Sequence, residues 1–212
     1  NLNISSVMNK VVLYDNDNRI NSISILCMFK NNEKYLSDFF VKTMVEMGEI
    51  YDLVFNYYII ENNSNDKTRE ILKIFMKYQS SKSKLLLFDV EKDFRNIGDG
   101  KNFERLKGLL EIRNKLVNSV TPLDSEWCLF IDSNIFFKPD ILVKMFNCNP
   151  TKNNIGMLSA YTQQLFIPEI HKHLNLTKPT LFNHFYDTFS HYDVNNKTFW
   201  PYCGFEKCKF CV

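Results

Sequence analysis

The hydrophobic pattern is organised by two apolar runs, each closed by an acidic polar turn. Leu53-Val54-Phe55-Asn56-Tyr57-Tyr58-Ile59-Ile60 runs into Glu61-Asn62-Asn63-Ser64-Asn65-Asp66, and Trp127-Cys128-Leu129-Phe130-Ile131 runs into Asp132-Ser133-Asn134. Short continuous apolar runs bounded by turn residues predict strands buried on both faces. Ile23–Phe29 predicts an earlier strand, Lys84–Asp89 another, and Ile155–Tyr161 a fifth. Between them the period changes. Leu36, Phe39, Phe40, Met44 and Met47 predict a helix that stops at Gly48. Asp66 is placed to cap a helix carrying Ile71, Leu72, Phe75 and Met76. Asn102 caps one through about Asn118, with Phe103, Leu106, Leu110 and Val117 as its core stripe. Pro139 opens a short helix with Ile141, Leu142 and Met145. This alternation predicts an α/β fold, a mostly parallel sheet with helices on both faces.

The ends of the chain break the pattern. Residues 1–21 are polar apart from Val11-Val12-Leu13-Tyr14 and predict an arm or an edge strand. Beyond Thr162, Pro168, Pro179 and Pro201 punctuate a stretch rich in Phe, Tyr and Trp, an irregular C-terminal third folded over the sheet edge. Residues 22–212 are therefore expected to form one domain, cut from a longer protein. At 45% hydrophobic and 15% aromatic residues, the 212-residue chain can bury a sizeable core. A net charge of +2 gives no broad field for nucleic acid, so anions must be bound by a few placed side chains. No apolar run reaches the ~18 residues of a membrane span. The chain begins at Asn1 rather than Met, as expected if an upstream signal or anchor has been removed. Asn and Lys are abundant and Ala occurs once, at Ala160, a drift that suits an AT-rich genome such as a large DNA virus or a protist. Cys27 and Cys128 fall inside predicted strands as small hydrophobes, which favours a reducing, cytoplasmic setting.

In open α/β sheets ligands collect at the carboxyl ends of the strands. Two acidic turns there suggest a nucleotide and a divalent cation, the arrangement of an enzyme that uses a nucleotide sugar. Asp132, with Ser133 and the neutral Asn134, can hold Mg²⁺ or Mn²⁺ against a diphosphate; the alternative is a carboxylate that only ends a strand. Glu61 and Asn63 sit where a ribose or base would accept and donate hydrogen bonds, although a capped helix start explains the same turn. Arg105 and Arg113 lie on one helix roughly 80° apart. Arginine is scarce here, five against 21 lysines, and its planar fork suits a diphosphate. Between His184 and Asp193, aromatic rings could stack on sugars, Asp187 and Asp193 could bind hydroxyls or act as base, and His191 could complete a metal shell. Cys203, Cys208 and Cys211 could join His191 in a zinc site, or remain free thiols.

Taken in order, the blocks Ile60–Thr68, Arg105 with Glu111-Ile112-Arg113-Asn114, Leu129-Phe130-Ile131-Asp132, Phe185-Tyr186-Asp187-Thr188 and Tyr192-Asp193 resemble the fungal capsule-associated α-1,3-mannosyltransferases over roughly Ser22 to Cys211. The resemblance implies a GT-A-type fold, a nucleoside diphosphate sugar as donor, Mn²⁺ or Mg²⁺, and retention of anomeric configuration. By position it sets Glu61 toward the nucleotide, Arg105 and Arg113 toward the diphosphate, Asp132 at the metal, and Asp187 and Asp193 around the sugars. Tyr192 stands where that family tends to have arginine, and Asn134 where a second carboxylate is common.

The leading expectation is a metal-dependent hexosyltransferase acting on a glycan or glycoprotein acceptor. Asn134 favours a second reading, a non-catalytic glycan- or nucleotide-binding module with a degenerate site. A nucleotidyltransferase would need a glycine-rich basic loop after the first strand, where Lys30-Asn31-Asn32-Glu33 has no glycine.

Overall fold

The computed structural model describes residues 9–89, 103–120, 125–133, 135–153, 155, 164–166, 177–178 and 180–182. Two compact units divide the chain, residues 1–156 and 157–212. In the second, the described residues form an antiparallel pair, Gln164–Phe166 against Thr180–Phe182.

The first unit begins with a two-stranded antiparallel ribbon, β1 (Tyr14–Asp15) and β2 (Asn18–Arg19). Asn16 and Asp17 turn it, both at positive φ (49° and 65°), the left-handed pair that a tight hairpin turn requires. Leu13 and Ile20 enter the core from this ribbon. Four parallel strands follow: β3 (Ser22–Phe29), β4 (Val54–Glu61), β5 (Lys84–Leu87) and β6 (Trp127–Asp132), in spatial order β5-β4-β3-β6. β3 and β4 are buried on both faces along almost their whole length, as the unbroken apolar runs predict.

One face packs against α1 (Glu33–Tyr35), a π-helical segment Leu36–Val41, α2 (Lys42–Ile50), α3 (Thr68–Met76) and α5 (Ile141–Phe146). Leu36, Phe40, Met44, Met47, Leu72, Phe75, Leu142 and Phe146 meet Ile23, Ile25, Cys27, Phe29, Phe55, Tyr57, Ile59 and Ile131 there. The other face meets α4 (Phe103–Ser119), where Leu26, Tyr58 and Ile60 pack on Ile112, Leu116 and Val120. Helices on both faces of a parallel sheet are as the alternation predicts.

Two side-chain expectations change. Among the described side chains of α4 and the residue after it, the buried apolar row is Ile112, Leu116 and Val120, spaced i, i+4, while Leu110 and Val117 are exposed; those of Phe103 and Leu106 lie outside the described residues. The helix carries two overlapping apolar rows, and the sheet face chooses the row that meets Tyr58 and Ile60. Phe39, counted in the core stripe of its helix, is exposed instead. The π turn widens the helix at that point, so Leu36 and Phe40 point inward without it. The predicted strand 155–161 and the Asn102 cap lie outside the described residues.

Polar groups inside the sheet are paired. Ser24 Oγ donates to Ser125 Oγ (2.8 Å), Ser80 Oγ donates to Asn56 Oδ1 (2.7 Å), and the Tyr57 amide donates to Ser83 Oγ (2.9 Å). Glu126 closes the amino edge, accepting the amides of Asn21 and Ser22 and the Ser22 hydroxyl at 2.8–3.2 Å.

Candidate functional site

The strand order places the reversal of winding between β3 and β6. β4 and β5 extend to one side of β3, and the chain then returns to add β6 on the other. At such a reversal the connections leave in opposite directions, and a crevice opens outside the carboxyl ends. Asp132, the last residue of β6, lies opposite Met28 of β3 and so stands at that crevice. Its carboxylate is more than half exposed, and Arg113 Nη2 from α4 lies 3.6 Å from Oδ1. Ser133 follows at half burial, and the Ile135 amide donates to the Asp132 carbonyl (3.0 Å), folding the turn back. Arg105 lies within α4 two turns before Arg113.

The neighbouring turns, after β3 and after β4, are sewn together. Asn31 donates its amide to Ser64 Oγ (2.9 Å), and Asn32 donates its amide to Thr68 Oγ1 (2.7 Å). In return Asn31 Oδ1 accepts the Asn65 amide (2.9 Å) and Glu33 Oε2 accepts the Lys67 amide (3.1 Å). Asp66 accepts the Glu33 amide with Oδ2 and the Thr68 amide with Oδ1, both at 3.0 Å, so one carboxylate caps two helix starts. Burial pushes the Asp66 carboxyl up, but the hydrogen bonds from Thr68 and the Glu33 amide outweigh it and hold it below the usual carboxylate range. Asn31 and Asn63 both adopt positive φ (52° and 48°), which asparagine tolerates better than most residues. The turn rich in Asn, Ser and Asp is thus a pre-set edge.

Glu61 lies beneath this edge, fully buried. Its Oε1 accepts the Ser64 amide (2.6 Å) and its Oε2 accepts Arg69 Nε (2.5 Å). Arg69 donates its Nη2 onward to Asp89 Oδ1 (2.5 Å), just past β5. Arg69 was missed by the sequence reading. The scarcity of arginine that singled out Arg105 and Arg113 applies equally to it. Asn62 was missed as well: it is buried, and its Oδ1 has no hydrogen-bond partner among the described residues. A buried acceptor left open costs free energy unless something donates to it, which makes Asn62 a candidate ligand contact.

Asn134, Asp187, His191, Asp193, Cys203, Cys208 and Cys211 lie outside the described residues. Among the described residues, no three His, Cys, Asp or Glu side chains converge as a metal set. Asp132 alone fits the lesser requirement of Mg²⁺, which is often held by one or two carboxylates and completed by substrate phosphate oxygens. No helix among the described residues is long and apolar enough to cross a membrane.

The described sheet, its helices on both faces and its carboxyl-edge turns define an open, Rossmann-like α/β domain of the kind that binds nucleotides at its winding reversal. No family model matches the chain, and no curated protein matches it. Among solved structures it is similar to S. aureus TarS, with a TM-score of 0.41 and 16% identity over 69% of this chain and 21% of that one. It is also similar to TarS 1–349 in complex with UDP (TM-score 0.40, 15% identity, 76% and 46% of the two chains) and with UDP-GlcNAc (TM-score 0.38, 16% identity, 76% and 44%). The chain spans less than half the length of these TarS chains. At such scores nothing of their ligands carries over, and they lend mannosyl specificity no support.

Proposed function

We propose that the carboxyl edge of this sheet binds a nucleoside diphosphate sugar, and that the chain transfers the hexose to a glycan or glycoprotein acceptor. The observation that carries this reading is the carboxylate of Asp132 at the winding reversal, open to solvent and faced by Arg113 at 3.6 Å. A departing nucleoside diphosphate develops charge that must be neutralised where it forms, and preorganised charges there usually make the largest contribution to catalysis. The Arg113 guanidinium offers a planar fork for phosphate oxygens. When bound, a divalent cation at Asp132 would supply further neutralisation as a Lewis acid. Asn62 Oδ1 would accept from a hydroxyl or N–H of the nucleoside, and the sewn turns of residues 30–33 and 61–68 would hold that pocket in shape. Asp187 and Asp193 are assigned to the sugars, Arg105 to the diphosphate, and mannose with retention follows the motif resemblance.

A second reading, a binding module without turnover, draws on the same pair. A carboxylate already neutralised by a guanidinium is a weaker metal ligand than a free one. Thermal unfolding with UDP, GDP and their sugars, each with and without Mn²⁺, tests both. A nucleotide at 100 times its Kd adds about 2.7 kcal/mol, roughly 5–10 °C for a chain of this size. Manganese-dependent stabilisation that Asp132→Asn removes, with sugar release on turnover, supports the transferase. Stabilisation without turnover supports a nucleotide-binding module, and no shift with any nucleotide refutes the transferase and leaves only a glycan-binding module.

A further inference from the structure

Three aromatic side chains stand together in solvent beside the Asp132 turn. Tyr35, Phe39 and Phe136 are 38%, 43% and 52% exposed. Phe39 and Phe136 lie 4.3 Å apart between ring centroids at 41°, while Tyr35 is 5.9 Å from Phe136 and 6.2 Å from Phe39. Single exposed aromatics are common on any surface; these three touch one another and form one continuous apolar patch. Their place in the fold is specific. Tyr35 and Phe39 follow the carboxyl end of β3, Phe136 follows that of β6 by four residues, and these are the two strands that flank the winding reversal. Phe39 is exposed on the π-helical segment Leu36–Val41, a geometry found mostly as single turns within α-helices and frequent at functional sites.

We infer that Tyr35, Phe39 and Phe136 form a stacking platform for a pyranose ring of a neutral oligosaccharide, the acceptor side of the site proposed above, on which reading this inference rests. Size argues for a small ligand. At ~200 Å² per aromatic side chain, the trio leaves roughly 270 Å² uncovered, far less than the ~800 Å² per partner of a stable protein interface. A second copy of the chain is therefore a poor occupant. Chemistry argues for a sugar. A pyranose pairs an apolar C–H face with a rim of hydroxyls, and the platform offers ring faces on a segment whose chain neighbours Lys34, Ser37 and Asp38 are exposed polar groups. The Lys34 ammonium lies 5.2 Å from the Tyr35 centroid, and Phe39 and Phe136 are the more exposed members of the trio.

The test is saturation-transfer NMR on the whole chain with mannotriose and cellotriose as probes, irradiating the protein's aromatic protons. Contact through the sugars' C–H faces is expected, weakened roughly fivefold or more by Phe39→Ala and by Phe136→Ala, on the scale of aromatic contacts in general. Phe39→Leu separates stacking from bulk: it keeps apolar area but loses the ring, and should weaken binding like the alanine variant. Nucleotide-dependent thermal shifts should be unchanged in all three variants, which also shows that they fold. No transfer to either probe overturns the platform, as does concentration-dependent dimerisation, or binding to neutral phosphatidylcholine vesicles, that Phe39→Ala/Phe136→Ala abolishes. If the sugars bind while no nucleotide stabilises the protein, the platform stands and the transferase reading falls.

Discussion

Removing the Arg69 side chain should destabilise the sheet more than removing any other surface-reaching cation among the described residues. Glu61 is fully buried, and Arg69 Nε is the cation that meets its carboxylate, with Ser64 supplying an amide to the other oxygen. Arg69→Ala leaves a buried charge with one neutral donor. Breaking a buried pair from one side costs about 3–5 kcal/mol. Arg69 keeps 27% of its side chain exposed, so water can reach the vacated space, and the lower end applies. About 3 kcal/mol corresponds to roughly 6–12 °C in midpoint for a chain of this length.

The internal control is Asp89, the other partner of the same guanidinium. It is 64% exposed, and an exposed pair contributes at most about 1 kcal/mol, so Asp89→Ala should shift the midpoint little. Urea unfolding followed by fluorescence gives both values, since Trp127 lies against the core at the start of β6. Glu61→Gln completes a double-mutant cycle, with a coupling to Arg69→Ala of at least about 1.5 kcal/mol expected. If Arg69→Ala costs no more than Asp89→Ala, or the coupling is under about 0.5 kcal/mol, the buried-charge argument is wrong.

Glu126 should give the fold an acid-labile edge. Burial is the largest single influence and raises its carboxyl, but the hydrogen bonds from its own amide, Ser22 and Asn21 together outweigh it and lower it from 4.5 to about 2. A depressed carboxyl stabilises fully above its unfolded value and loses that contribution as pH falls from 4.5 toward 2. Glu126→Gln should flatten the pH dependence of the thermal midpoint in that window and leave a lower midpoint at pH 7. Arg113→Ala should cost under about 1 kcal/mol in urea unfolding, because its pair with Asp132 is open to solvent; a larger cost would make that pair structural. Among the three described thiols, mass spectrometry after iodoacetamide at pH 8 should find Cys148 modified first. Burial pushes the Cys128 thiol up to about 11 and the Cys27 thiol well above its ordinary value, so both should react only as the protein opens.

The strands were legible because parallel strands buried on both faces leave little room for polar residues. Ile23–Phe29 and Val54–Ile60 read as strands without reference to any partner, and the exceptions, Ser24 and Asn56, have dedicated polar partners. Helix faces were less legible. The rows Leu36-Phe40-Met44 and Ile112-Leu116-Val120 are i, i+4 series, but each helix carries a competing row, and only the sheet decides between them. Phe39 joined the wrong row because periodicity counting assumes an α-helical pitch, and a π turn breaks it.

The site shows the same division between local and tertiary signals. Asp132 was visible because a carboxylate at the end of an apolar run is a local pattern, and its position at the reversal follows from strand order alone. Glu61 was visible for the same reason, yet its partner could not be read, since Arg69 comes within 2.5 Å only after α3 folds back over the end of β4. That difference bears on function. Asp132 faces solvent, and among the described residues its ion-pair partner is the exposed Arg113, so a ligand can reach it without breaking a buried contact. Glu61 is committed to the Ser64 amide and Arg69, so any ligand that addresses it directly must break that pair from one side, a change that costs about 3–5 kcal/mol when the charge left behind stays buried. A ligand would therefore meet this edge more cheaply at the exposed turn carrying Asn63 than at the carboxylate buried beneath it.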